Sequence, residues 1–418
     1  MLTSQPDEPV ILKRADHPVS RRNIDPDALK ILYRLHRMGF IAYLTGGAVR
    51  DMMLGSTPKD FDIVTDARPG QIKKRFRDVY IIGRRFRLAH IHFGGGKIIE
   101  VATFRKTPDL GDQDIPEANN ADPKDIYGTP REDAFRRDIT INALFYDAVT
   151  TSVIDYVGGL EDLNRRRIRV IGDPANRYLE DPVRIWRVVR YAARVGFDIE
   201  EATEREITSH RHLLAVCSGA RLYEEFNKDL IYLGAGRVIE ALRKYGLLRL
   251  VLGRIGEEYE TDPAKFARLS SLLDIEDRAK SEGFEPSLEE MYTLFFWPWV
   301  ELLFVEAHGD MHAILKKAFV NAEMKITLPR NTRVGIIEIM IIVGKMIEAL
   351  RTGQMRWSMR GRAQYGLSSR LCFLIEKGRM PGDGESFESL FREAFPSAQV
   401  SGKRRRRRPR RDITGPDA

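Results

Sequence analysis

The chain of 418 residues carries 68 Lys and Arg against 60 Asp and Glu and is 43% apolar, a composition with room for two or three globular domains. Its longest apolar runs, such as 335–343, are too short and too often interrupted by Glu or Lys to span a bilayer, and no charged-then-apolar leader opens it, so a cytoplasmic protein without membrane contact is expected. Cys217 and Cys372 lie far apart and outside any CxxC spacing, which argues against a disulfide framework or a thiolate metal site.

Residues 1–24, rich in Asp, Pro, Arg and Ser, are expected to form an irregular leader. From Asp25 the spacing of Ala28, Leu29, Leu32 and Leu35 predicts an amphipathic helix capped by Asp25 or Asn23. An apolar run, Ile41 to Leu44, breaks at Gly46-Gly47, resumes as a short helical pattern through Leu54, stops at Gly55 and returns as the strand-like KDFDIV with Asp60 and Asp62. Side chains at i and i+2 of a strand share a face, so the two acids could hold a pair of Mg²⁺ ions roughly 3.5 to 4 Å apart for in-line phosphoryl transfer. Gly46 and Gly47, just before a helix start, let backbone approach closely and offer N–H groups to a triphosphate. Each half is weak alone; together they point to nucleotidyl transfer, and the GxxxxGK[ST] loop of a phosphate-cradling ATPase is missing. With Arg50-Asp51 inside the short helix, the arrangement resembles the nucleotidyltransferase superfamily that includes DNA polymerase β.

Residues 69–76 read as a helix, VYIIG and LAHIHF as strands, and IIEVATF as a strand joined to the latter by a GGGK turn. Glu100 is the one acid in an otherwise apolar stretch, and a lone buried carboxylate is costly, so Glu100 is a candidate third member of the Asp60 and Asp62 cluster. His90 and His92 alternate on this hairpin; two His at i, i+2 without a third ligand make a poor metal site, and RNA contact or packing is the better reading. Lys73, Lys74, Arg75, Arg77, Arg84, Arg85 and Arg87, against Asp78, would hold backbone phosphates without reading sequence. Residues 105–131 form a long connector without periodicity. Arg136, Arg137 and Asp138 precede a helical apolar pattern at Ile141, Leu144 and Phe145. YLEDPVRIWRVVRYAARVGF predicts one strongly amphipathic helix, and beyond Glu200 the pattern is helical nearly throughout. The run 403–411 holds eight Lys and Arg and no acid, which matches the whole formal excess of +8. It is either a solvating tail or an RNA tether, with Arg404, Arg405, Arg406, Arg407 and Arg408 meeting phosphates.

GGAVRD, DFDIVT, RRDITINAL, DYVGGLEDL and EDPVRIWRVVRYAAR, in this order over 25–226, resemble the class II tRNA nucleotidyltransferase and bacterial poly(A) polymerase family. The resemblance implies an α+β fold in which a polymerase-β-like mixed sheet with helices is followed by all-helical neck and body domains. Expected boundaries are 1–24 for the leader, 25–150 for the catalytic domain, 151–235 for the neck, 236–396 for the RNA-binding body and 397–418 for a disordered Arg-rich tail. It further implies metal binding by Asp60 and Asp62, triphosphate contact by Gly46, Gly47 and Arg50, and Arg137 and Asp138 beside the ribose. Asp181 and Arg184 would face the base; one helical turn apart, they share a face and present an acceptor and donors. IIGRRFRLAHIHF, ARLYEEFNKDL and LFFWPWVELL resemble the poly(A) polymerase branch, whereas in the rest of the body only short blocks correspond. The expected activity is template-independent addition of AMP from ATP to RNA 3′-hydroxyls with two Mg²⁺ ions, Mn²⁺ being the alternative metal. CCA or A addition to tRNA is the second reading, and a catalytically silent RNA-binding adaptor the third.

Overall fold

The computed structural model describes residues 8–83, 87–106, 126–306, 309–355 and 357–396. The first element falls inside the stretch expected to be irregular: β1 (Val10–Leu12) pairs antiparallel with residues 153–155. Three apolar residues carry no periodicity of their own, and a partner more than a hundred residues away stabilises them. Asp25 then opens α1 (Pro26–Arg37) by accepting hydrogen bonds from the Asp27 and Ala28 amides, and Pro26 sits where a helix needs no amide donor. Ala28, Ile31, Leu32 and Leu35 form the buried stripe of α1.

The first unit continues through β2 (Ala42–Thr45), α2 (Gly47–Met53), β3 (Asp62–Thr65), α3 (Pro69–Arg75), β4 (Val79–Ile82), β5 (Leu88–His92) and β6 (Ile98–Thr103). After it come α4 (Pro130–Arg136), β7 (Phe145–Asp147), β8 (Ser152–Asp155), α5 (Gly159–Asn164), β9 (Arg167–Ile168), α6 (Pro174–Glu180), α7 (Val183–Val195), β10 (Asp198–Ile199) and α8 (Glu201–His210). Strands β1-β8-β7-β2-β3-β6-β5-β4 form one mixed sheet, while β9 and β10 pair separately. Within the large sheet β3 and β6 run parallel and the other neighbours are antiparallel. A parallel pair needs a crossover, and the segment from α3 to β5 supplies it. Val64, Phe104, Phe145 and Ile154 pack with Ala134 of α4 into a buried cluster.

Three sequence expectations change here. The apolar spacing of Ile141, Leu144 and Phe145 makes a 3₁₀ turn at Thr140–Asn142 followed by β7, because Phe145 and Tyr146 pair with Thr45 and Leu44 of β2 and are fully buried. The helix expected through EDPVR is two helices. Asp181 is extended (φ −150°, ψ 91°) between α6 and α7, since Pro182 lacks an amide and pushes its predecessor out of the helical region. The sheet also runs past residue 150, as β8 belongs to it.

The chain divides into one unit of residues 1–217 with 244–247 and another of 218–243 with 248–418. From Glu201 onward every regular element among the described residues is helical. In the second unit the helix Leu288–Val300 buries Phe295, Phe296 and Trp297, and the Tyr259 hydroxyl donates to the Phe295 carbonyl at 2.5 Å. Nearby Glu276, in the helix Pro263–Ser281, is 1% exposed and its Oε1 accepts no hydrogen bond among the described residues. Burial pushes its carboxyl up to about 7; Lys280 and Arg370 oppose the rise, Glu290 and Asp277 add to it. The folded chain therefore keeps this proton to higher pH than the unfolded chain, and the stability lost grows as pH rises from 4.5 to about 7 and is complete above that. Glu276→Gln is expected to raise stability at pH 8 by on the order of 2 to 3 kcal/mol and to leave it unchanged near pH 4, as read by urea unfolding.

Candidate active site

Gly46, where β2 hands over to α2, has φ 71° and ψ −140°, a conformation that glycine alone adopts readily. A Cβ there would lie 3.7 Å from Asp62 Oδ2 and 3.7 Å from Arg137 Nη1, so conformation and not lack of space demands the glycine. The bend thus stands beside a carboxylate and a guanidinium. Asp62 begins β3, opposite Thr45, and faces an open cleft of about 790 Å³ whose walls include Gly46, Gly47, Glu100, Arg137 and Arg184. Water reaches Asp62 through the cleft mouth, yet protein atoms crowd the carboxyl and push it up to about 6; Glu100 and Asp60 add to the rise and Arg137 opposes it.

Asp60 lies in the exposed lead-in before β3, off the regular strand and not on the cleft wall, so the two acids are not a simple i, i+2 strand pair. Glu100 does not fit the expectation of a lone buried acid. Strand alternation sends Ile99 and Val101 into the core and leaves Glu100 on the cleft face with its side chain 49% exposed, its carboxylate 3.3 Å from His90 Nε2. Among the described residues no three His, Cys, Asp or Glu side chains are gathered into a metal cage.

Along the cleft wall the residues expected from sequence join partners that were not: Asp133, Arg177, Glu180 and Arg187. Asp133 on α4 is fully buried and pairs with Arg136 at 2.7 Å and Arg137 at 2.8 Å. Burial alone would raise its carboxyl, but Arg137 and Arg136 outweigh it and hold the group below the usual carboxylate range. Acid at i with Arg at i+3 and i+4 is the readable signal for this pair. Arg177 of α6 donates to the Arg136 and Arg137 carbonyls at 2.7 and 2.8 Å. Asp138 accepts from Arg184 at 3.0 Å and from Arg187 at 3.1 Å, and Arg184 also donates to Glu180 at 2.8 Å. Both Asp138 oxygens are therefore engaged by arginines on α7. Asp181 lines the cleft and accepts from the Val183 amide at 3.2 Å, capping α7. Arg50, expected at the triphosphate, does not line the cleft: it donates to Asp51 at 2.7 and 2.9 Å and to Asn142 Oδ1 at 2.6 Å, tying α2 to the 3₁₀ turn. Tyr191, two turns beyond Arg184, lines the same cleft.

Lys73 and Lys74 on α3 and Arg87 before β5 are exposed, and His90 is half-buried beside Glu100. Arg84, Arg85, the connector core at 107–125, the leader's first seven residues and the tail with Arg404, Arg405, Arg406, Arg407 and Arg408 lie outside the described residues. No helix among the described residues is long and apolar enough to cross a membrane.

Residues 42–169 match the poly A polymerase head domain, and residues 196–255 match the probable RNA and SrmB-binding site of polymerase A. Poly(A) polymerase I of Salmonella typhimurium is 40% identical over 301 residues, covering 70% of this chain and 64% of that protein. The CCA-adding enzyme of Bacillus pumilus is 35% identical over 242 residues, covering 56% of this chain and 58% of its own length. Among solved structures, the Bacillus stearothermophilus CCA-adding enzyme in complex with CTP aligns over 90% of this chain and 83% of its own with a TM-score of 0.63 at 26% identity. The chain spans less than two thirds of the length of the curated relatives it matches.

The Asp133 pairs make a prediction about the architecture itself. Asp133→Asn leaves two guanidinium groups without their shared counter-charge, and a loss of roughly 3 to 5 kcal/mol in unfolding free energy is expected, measured by denaturant titration.

Proposed function

From the match of residues 42–169 to the poly A polymerase head domain we propose that the chain is a cytoplasmic, template-independent RNA 3′-end adenylyltransferase using ATP. The observation that carries the reading is the juxtaposition of Asp62, Gly46 and Arg137 at one end of a cleft whose other wall holds Asp181 and Arg184. An acidic pole beside a glycine bend suits a metal-bound triphosphate, and an acceptor with donors on the opposite wall suits a base edge.

The donors at the acidic pole, Asp62 and Glu100 with Asp60 close by, are all carboxylate oxygens, the set a hard divalent cation prefers. Asp60 and Asp62 would hold Mg²⁺, with Mn²⁺ as the alternative, and the bound metal supplies acidification of the attacking hydroxyl and charge neutralisation of the departing pyrophosphate. The chain's own groups do the rest by placement. Gly46 and Gly47 let the backbone approach the phosphates, and Arg137, anchored by Asp133, presents its remaining donor surface to them. Asp138 orients Arg184 and Arg187, while Asp181, on the cleft wall, would face the base. Arg50 acts one step back, by fixing α2 against Asn142, which itself lines the cleft. The RNA 3′-hydroxyl attacks the α-phosphorus of ATP, the bond to pyrophosphate breaks, and repetition extends an A tail.

A CCA-adding or A-adding tRNA nucleotidyltransferase is the second reading, supported by the CTP-bound structural neighbour. The test offers ATP and CTP separately to tRNA lacking its terminal nucleotides and to an unrelated oligoribonucleotide. Long A tails on both acceptors support the polymerase; a stop after one to three nucleotides on tRNA alone supports the other. In the same assay Asp60→Ala and Asp62→Ala are each expected to abolish incorporation with melting midpoint and RNA affinity near the parent's, and incorporation retained by either refutes the metal assignment. The tail is proposed as an RNA tether. Deleting 403–418 is expected to weaken RNA binding and flatten the slope of log K against log salt by roughly 5 to 6 with ATP affinity unmoved, whereas an unaltered slope leaves a solvating appendage.

A further inference from the structure

The sheet extension β4-β5-β6 presents two unlike faces. Ile91, Ile99 and Val101 are buried on one. On the other, Tyr80 stands opposite His90 and His90 opposite Glu100, with His92 opposite Ile98 in the next register position. Tyr80 is 58% exposed, Ile82 49% and Ile98 45%, an apolar cluster that no described element covers. The Tyr80 ring meets the His92 ring edge-on at 4.8 Å. This face is continuous with the cleft, because β6 is the parallel partner of β3 and the pairing of Ile63 with Val101 puts Asp62 and Glu100 on the same side.

The occupant follows from the direction of the chemistry, and this step rests on the adenylyltransfer reading. The incoming base is assigned to the wall of α6 and α7, and in-line displacement requires the attacking hydroxyl opposite the departing pyrophosphate. The wall beside Asp62 that remains open is β6, and beyond it β5 and β4. We propose that Tyr80 and His92, flanked by Ile82 and Ile98, form a stacking platform for the last nucleobases of the single-stranded RNA acceptor, with His90 at the step down to Glu100. Two strand spacings separate Tyr80 from Glu100, roughly 10 Å, about the rise of three stacked bases. Stacking on rings accepts every base, which is the recognition an acceptor of arbitrary sequence needs, and sheet faces bearing exposed rings serve single-strand binding in this way.

The test compares the full chain with Tyr80→Ala, the double variant Tyr80→Ala/His92→Ala, and Tyr80→Phe, each checked by thermal melting. Fluorescence anisotropy with a labelled fifteen-nucleotide oligoadenylate and steady-state KM for the same acceptor are the readouts. The alanine variants are expected to raise both roughly five- to a hundredfold, with KM for ATP unmoved and Tyr80→Phe near the parent. Acceptor KM and affinity unchanged in the double variant overturn the platform. So does loss of concentration-dependent self-association in the double variant without an effect on acceptor binding, which would make the face a contact between copies. Should the parent transfer no nucleotide to any RNA, the adenylyltransfer reading fails, while the anisotropy comparison still decides the platform.

Discussion

A carboxylate with no access to water, Asp133, is the fixed point of the cleft. An isolated buried charge is prohibitively costly, so Asp133 persists only because Arg136 and Arg137 both reach it, and those pairs in turn freeze the segment that follows. Arg137 is set over the Phe145 ring at 5.4 Å and beside the Gly46 bend, and its carbonyl with that of Arg136 receives Arg177. Asp138, the next residue, takes the two arginines of α7. Six consecutive positions, 133–138, therefore connect the strand side of the cleft to the helix side by ion pairs, carbonyl hydrogen bonds and a ring contact. Loops that carry such sites usually need a rigid scaffold, and here the buried acid is that scaffold.

The charge in the cleft is unevenly spread, with Arg137 reaching Asp62 at the Gly46 bend and Asp138 and Asp181 among the arginines. Asp62 and Glu100 stand together on β3 and β6, whereas Arg136, Arg137, Arg184 and Arg187 crowd the wall built by α4 and α7. Burial first, then Glu100 and Asp60, push the Asp62 carboxyl up to about 6 against the pull of Arg137, and Asp133 and Asp138 pair with arginines on the helical side. On the proposed function, a polyphosphate carrying divalent cations would answer both the carboxylates and the arginines.

Local signals were legible where one short stretch determines the outcome. The Asp25 cap, the buried stripe of α1, the glycine bend before α2 and the β5–β6 hairpin all follow from spacing and residue type. What could not be read depends on partners far along the chain. β1 exists because β8 pairs with it, and Phe145 leaves a helical pattern because β2 needs a neighbour. Glu100 looked buried because its sequence neighbours are apolar, yet only every second residue of a strand shares its face. Arg50 was expected at a phosphate, and its tie to Asn142, 92 positions later, could not be read from its own surroundings. In the helical unit, apolar spacing identified the class of structure but not the packing around Glu276.

The break at Pro182 alters how base recognition must work. On one continuous helix, Asp181 and Arg184 would move together as neighbours one turn apart. With the break, Asp181 belongs to a kinked junction, its carboxylate accepting from the Val183 amide and its carbonyl from the Arg184 amide at 3.0 Å, while the Arg184 side chain is held by Asp138, Glu180 and the Arg177 carbonyl. The acceptor and the donor proposed to meet the base thus stay linked through the backbone although Asp181 is off the helix. Asp138 holds Arg184 and directly follows Arg137. On the roles proposed for those two arginines, a change in Asp138 would disturb both ends of a bound nucleotide although it need touch neither.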